Sequence, residues 1–125
     1  MLNCFAVGVG GFVGAVCRYL LGLIPTSGSA SFPVITLLIN LLGSFAIGVI
    51  AQTSSRHNAE GSALTLFLKV GVCGGFTTFS TFALESGDLM RSGKSWFAFL
   101  YIVLSLVLCI LGAFFGRAVA AKASC

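Results

Sequence analysis

Gly71-Val-Cys-Gly-Gly-Phe-Thr-Thr-Phe-Ser-Thr-Phe82 lies inside an apolar segment that otherwise reads as a membrane helix. Two adjacent glycines, Gly74 and Gly75, precede Thr77, Thr78, Ser80 and Thr81, with Phe76, Phe79 and Phe82 between them at a spacing of three. Gly and Thr are poor residues for a helix interior. In hydrocarbon, unwound backbone is tolerated only where protein buries it or where it lines a watery cavity. Broken membrane helices use the freed carbonyl and N–H groups to hold ions. The stretch therefore reads as an ion-handling break, near 74–78, in a membrane helix. The competing reading is a polar-spotted face whose small residues admit a neighbouring helix.

Composition agrees with the membrane. Of 125 residues, 58% are hydrophobic and 8% charged, whereas a soluble domain carries roughly a quarter charged residues. The expected fold class is an all-α integral membrane protein of one domain. Seven Lys/Arg against three acids give a net charge of +4 but form no basic patch interleaved with aromatics, so nucleic acid is not an expected partner. The five cysteines (Cys4, Cys17, Cys73, Cys109, Cys125) are odd in number and form no C-x-x-C pair, which argues against a zinc site or a disulfide framework.

Outward from the break, four spans of roughly the length that crosses hydrocarbon are expected at 3–23, 34–52, 63–89 and 96–120, the third broken near its middle. In the first, Gly8-Val-Gly-Gly-Phe-Val-Gly14 lacks the spacing, strand-to-helix context and acidic partner of a dinucleotide site. Gly10 and Gly14 read instead as a G-x-x-x-G packing face. No signal-peptide pattern is evident at the N-terminus. Pro25 to Pro33 is a strong break. In the second span Thr36, Asn40 and Ser44 share one face; that stripe is either interhelical glue or a pore wall. Thr53 to Ser62 reads as a polar loop that holds the lone histidine, His57, in solvent. Glu85 and Asp88 follow the break; a carboxylate there either serves function or caps the span near Arg91 and Lys94. The fourth span opens on Trp96, placed like an interfacial anchor, and puts Tyr101, Ser105, Cys109, Gly112 and Gly116 on one face.

Charge gives almost no orientation. Arg56, Arg117 and Lys122 fall on one side, Arg18, Arg91 and Lys94 on the other, and Lys69 is ambiguous. The positive-inside rule needs an imbalance, so insertion in both directions is expected. Four thin helices also enclose little interior. An antiparallel dual-topology homodimer answers both points.

The segments Gly10-Gly-Phe-Val-Gly-Ala-Val-Cys-Arg-Tyr19, Thr36 to Gly43, and Gly74-Gly-Phe-Thr-Thr-Phe-Ser-Thr-Phe82 with Glu85 closely resemble the Fluc/CrcB-type fluoride channels. The resemblance covers nearly the whole chain, and its third motif is highly specific. The cell (inner) membrane is the default location. The resemblance implies an antiparallel homodimer with two fluoride pores along the subunit interface and passive export that protects the cell from fluoride. It further implies that Asn40 is the pore amide, that Phe79 and Phe82 turn ring edges to the anion, and that Thr36, Ser80, Thr81, Tyr101 and Ser105 add hydroxyl donors. Arg18 would make a vestibule electropositive. Backbone carbonyls of Gly74 and Thr77 from both subunits would hold a structural sodium ion. The polar track of such proteins continues with a hydroxyl one turn past Ser105; here that residue is Cys109, a weaker donor.

These residue types suit the task. Fluoride is small and strongly hydrated, and its dehydration is costly unless the site replaces water's hydrogen bonds. Amide and hydroxyl donors can do so without trapping the ion, as conduction requires. Aromatic rings carry a positive edge; taken alone, Phe79 and Phe82 read more readily as an ordinary packing stripe, and the motif match reverses that preference. A proton-coupled exporter of the small multidrug type is the alternative, but it wants an embedded acid in the first span, where there is none. A third reading is a non-conducting assembly factor built on glycine contacts. No nucleophile–base pair or phosphate-binding loop indicates an enzyme.

Overall fold

The structure, a computed structural model, describes residues 1–25 and 32–123. Most of the expected first loop and Cys125 lie outside the described residues. Among those described, every regular element is helical: α1 (Leu2–Gly22), α2 (Val34–Arg56), α3 (Ala63–Leu66), a π-helical stretch (Phe67–Cys73), α4 (Gly74–Phe76), α5 (Phe79–Arg91) and α6 (Ser95–Ala123). Four segments are long and apolar enough to cross a bilayer: Leu2–Gly22, Val34–Arg56, Ala63–Arg91 and Ser95–Ala123.

Several boundaries differ from expectation. The second helix does not stop at Gln52 but runs to Arg56, because no Gly or Pro interrupts Thr53–Arg56 and the Ser54 hydroxyl turns back to the Ala51 carbonyl at 3.2 Å. The Ala59 N–H then closes the end on the Ser54 carbonyl at 2.9 Å. The fourth helix runs past Ala120 to Ala123, since its alanine-rich tail favours helix. The third segment opens on Ser62, whose Oγ accepts the Thr65 N–H, a standard N-cap. Its first half contains the π-helical stretch, a one-residue widening of the turn that the apolar pattern does not reveal. The backbone departs from helix at Thr77 and Thr78 alone, whereas Gly74, expected to begin the break, is helical at φ −65, ψ −37. Gly93 closes the α5–α6 turn at φ +75, a left-handed position that suits glycine.

Glycine brings the helices together. A methyl added to Gly10 would overlap the Phe67 carbonyl oxygen and stand 2.9 Å from the Gly71 Cα; one on Gly14 would overlap the Val72 carbonyl. The expected G-x-x-x-G face of α1 therefore lies against the π-helical stretch and α4, and Gly75 answers it by closing on the Gly11 carbonyl. The same device joins α2 to α6, where Gly48 meets the Ala113 carbonyl and Gly116 the Phe45 carbonyl. The fourth-span stripe thus divides: Gly112 and Gly116 are taken up by contact with α2, while Ser105 and Cys109 line a groove. Without a hydrophobic drive inside lipid, such close backbone approach supplies much of the association. The buried core is small and centres on Leu37, Phe82, Leu89, Ala98 and Tyr101. Large apolar side chains such as Phe5, Phe12, Phe114 and Phe115 stand outward, as lipid-facing positions should.

One test follows directly. Gly116→Ala should lower stability in detergent by about 1–3 kcal/mol through overpacking against backbone. Gly8→Ala, with nothing within 4 Å, should be neutral or stabilising, because alanine favours helix by about 1 kcal/mol over glycine. Thermal unfolding of the two variants beside the parent reads the difference, and equal shifts would contradict the packing described.

Candidate functional site: two grooves meeting at Thr78

Thr77 (φ −75, ψ 155) and Thr78 (φ −148, ψ 110) are extended between α4 and α5. Several of the backbone groups loosened there have a defined partner. The Thr78 side chain caps α5: its Oγ1 accepts the Thr81 N–H at 3.2 Å and its hydroxyl donates to Thr81 Oγ1 at 3.0 Å. Asn40, in the middle of α2, clamps the Thr78 main chain twice. Its Oδ1 accepts the Thr78 N–H at 2.8 Å, and its Nδ2 donates to the Thr78 carbonyl at 3.1 Å. The Thr77 hydroxyl turns back to the Cys73 carbonyl at 2.8 Å, and Arg18 Nε reaches across from α1 to the Gly75 carbonyl at 3.1 Å. The break is thus pinned from α1 and α2, and buried backbone in hydrocarbon requires such satisfaction.

This bonding deprives two carbonyls of their usual partners. In a continuous helix the Thr78 N–H would close on Gly74 and the Thr81 N–H on Thr77; Asn40 and the Thr78 hydroxyl take them instead. Gly74 is exposed, with open space where a Cβ would stand. The carbonyls of Gly74 and Thr77 therefore fit a hard cation that takes oxygen ligands. No cluster of three or more His, Cys, Asp or Glu side chains occurs among the described residues.

Two grooves flank the break, and Thr78 lines both. The larger, about 950 Å³, includes Arg18, Thr36, Thr81, Glu85 and Asp88. The smaller, about 300 Å³, includes Asn40, Ser44, Phe79, Phe82, Ser105 and Cys109, with Gly74 and Thr77 at its wall. Between them sits Tyr101, fully buried at 0% exposure. Its hydroxyl donates to Glu85 Oε2 at 2.8 Å while the Thr36 hydroxyl donates to Oε1 at 2.8 Å. Glu85 is thereby the acceptor at the centre of a three-helix hydroxyl network.

The expected site residues thus separate into groups. Asn40, Phe79, Phe82 and Ser105 share the smaller groove; Arg18, Thr36 and Thr81 share the larger. Tyr101 lines neither groove and is committed to Glu85. Ser80 is exposed, its Oγ 3.3 Å from Thr78 Oγ1, and also lines neither. Phe79 and Phe82 pack with ring centroids 5.5 Å apart at 48°; Phe79 is 75% exposed and Phe82 is buried, its ring 5.2 Å from that of Tyr101. Ser105 Oγ is buried without any hydrogen-bond partner, alone in this among the described side chains. The structural centrality of Thr78 escapes a stripe analysis, although Thr followed by an amphipathic helix is an N-cap signature.

Four membrane-length helices, one interrupted at a clamped threonine pair between two grooves, define a multi-pass membrane protein. The chain belongs to the CrcB-like protein family, Camphor Resistance (CrcB), whose sequence pattern it matches over residues 5–117. It is 46% identical over 121 residues to the fluoride-specific ion channel FluC of Ruminiclostridium cellulolyticum, covering 96% of this chain and 93% of the relative. It is 48% identical over 114 residues to the FluC of Elusimicrobium minutum (90% and 88% covered). The FluC of Chlorobaculum tepidum is 48% identical over 107 residues (85% and 84% covered).

Proposed function

We propose that this chain is a fluoride channel, a passive conduit rather than a catalyst, that lets fluoride leave the cytoplasm across the inner membrane and so limits its toxicity. The observation that carries the reading is the smaller groove. It gathers an amide, a partnerless serine hydroxyl and two phenylalanines without a charged side chain, in a chain whose relatives are named fluoride-specific ion channels. A dehydrated anion needs donors that replace water without holding it too tightly to leave. Asn40 keeps a second amide hydrogen beyond the one given to Thr78. Ser105 has its hydroxyl free, and the exposed Phe79 can offer a ring edge.

Glu85 holds Thr36 and Tyr101 in place by accepting both hydroxyls; in this reading these two shape the path more than they contact the ion. Arg18 supplies positive charge to the larger groove, and Thr81 and Ser80 extend the hydroxyl set around Thr78. The functional unit is an antiparallel homodimer in the lipid bilayer. The exposed faces of Gly74 and Phe79 meet the partner, and the carbonyls of Gly74 and Thr77 from both subunits hold a structural sodium ion. Bound there, sodium would neutralise converged carbonyl dipoles and hold the two breaks in register. A proton-coupled exporter finds no acid in α1 to carry its protons.

Efflux from liposomes containing the purified chain, followed with fluoride and chloride electrodes and a potassium ionophore, tests the proposal. Fast fluoride release with little chloride is expected; no fluoride release from folded protein would overturn it. Ser105→Ala sharpens the test. No hydrogen bond is lost, so stability should change by no more than about 0.5 kcal/mol, while fluoride efflux should fall several-fold because a donor is removed from the path. Unchanged efflux would take Ser105 out of it.

A further inference from the structure

The smaller groove carries a feature that anion conduction does not use. Two cysteines, Cys73 at the end of the π-helical stretch and Cys109 on α6, line the same volume of about 300 Å³. Neither is in a disulfide. Cys73 is buried and Cys109 partly so, and they arrive from elements far apart in sequence. Beside them Ser105, one turn before Cys109, is 6% exposed, and its hydroxyl is without a hydrogen-bond partner. Two cysteines and a serine with an unsatisfied hydroxyl thus line one small groove.

We propose that this groove is a binding site for a soft, thiophilic metal cation of the copper(I), silver(I) or mercury(II) class, and that occupancy stops conduction. Thiolate sulfur selects such ions over hard ones. They accept linear coordination by two sulfurs, so two thiols that reach the ion from the walls of this groove need no third ligand. On binding, each thiol gives up its proton to water and forms one sulfur–metal bond. No electron is transferred, and the metal keeps its oxidation state. The Ser105 oxygen lies alongside as a weak further donor. The ion would stand among Asn40, Phe79 and Phe82, where it removes free volume and holds α6 to the third segment. The blocking half of the proposal rests on the channel reading; the binding half does not.

The test uses full-length protein with Cys4, Cys17 and Cys125 replaced by serine, leaving Cys73 and Cys109, reconstituted and titrated with mercuric chloride. One mercury per chain is expected by intact mass, with two protons lost and both thiols silent to a thiol reagent. Fluoride efflux should drop at least tenfold and return with excess dithiothreitol. In the same background Cys109→Ser and Cys73→Ser should each abolish the two-thiol adduct, leaving mercury on a single thiol that a much lower dithiothreitol concentration removes. Two mercury ions per chain, or two thiols still reactive, would overturn the site. A bridged adduct with unchanged efflux would overturn the block. Efflux absent even before mercury would instead indict the channel reading, while mass and thiol counts still decide the binding.

Discussion

Asn40→Ala is expected to reduce fluoride efflux from proteoliposomes to the level of empty vesicles, the largest functional loss of any single substitution in this chain. The side chain does two things at once. It bonds both main-chain groups of Thr78, and it lines the smaller groove with one amide hydrogen to spare. Alanine leaves the Thr78 N–H unsatisfied at membrane depth, at about 1–3 kcal/mol, while the Thr78 carbonyl, as the N-cap of α5, keeps the first bond of that helix. Asn40→Asp separates the roles. Its carboxylate still accepts from the Thr78 N–H but cannot donate to the carbonyl or to an anion, and its charge opposes an anion nearby. Stability closer to that of the parent with efflux still absent is the expected pattern, read by thermal unfolding beside the electrode assay. Substantial efflux through either variant would remove Asn40 from the path.

Glu85→Ala should be the most destabilising change outside the glycine contacts, by about 2–4 kcal/mol. It strips the acceptor from two hydroxyls at once, and Tyr101 has no solvent to turn to. Glu85→Gln keeps one carbonyl oxygen and converts the other group to a donor, which a rotatable hydroxyl can meet by accepting; it should cost less than half as much. Adding Tyr101→Phe to Glu85→Ala should recover part of the loss, since removing both partners of a buried bond is cheaper than removing one. Unfolding midpoints of these variants decide it, and equal losses for Ala and Gln would show that the network does not hold the helices.

Much of this arrangement was legible from the residues alone, for identifiable reasons. Span number follows from hydrophobic length, and the α1 packing face from Gly10 and Gly14 at a spacing of four. The interruption is announced by adjacent Gly and Thr inside an apolar run, and the Thr36–Asn40–Ser44 stripe by helical period. What escaped was long-range or geometric. Glu85 joins Thr36 and Tyr101 across three helices, a meeting that periodicity within any one helix cannot show. Asn40 spends its bonding on the Thr78 backbone, so a residue expected to face the path is also a structural clamp. Gly74, a poor helix former, is held helical by its neighbours, which moves the break to Thr77 and Thr78. The π-helical stretch leaves no trace in composition, because Phe67–Cys73 holds no residue that a continuous helix excludes.

The central claim is that ions cross through a fluoride-selective path, and current through a planar bilayer tests it most directly. With purified protein in the bilayer, fluoride gradients are imposed while chloride is kept symmetric. The account predicts currents that reverse at the fluoride equilibrium potential and shift with each change of fluoride gradient. Reversal that stays at zero voltage, or that follows chloride when the gradients are exchanged, would contradict it.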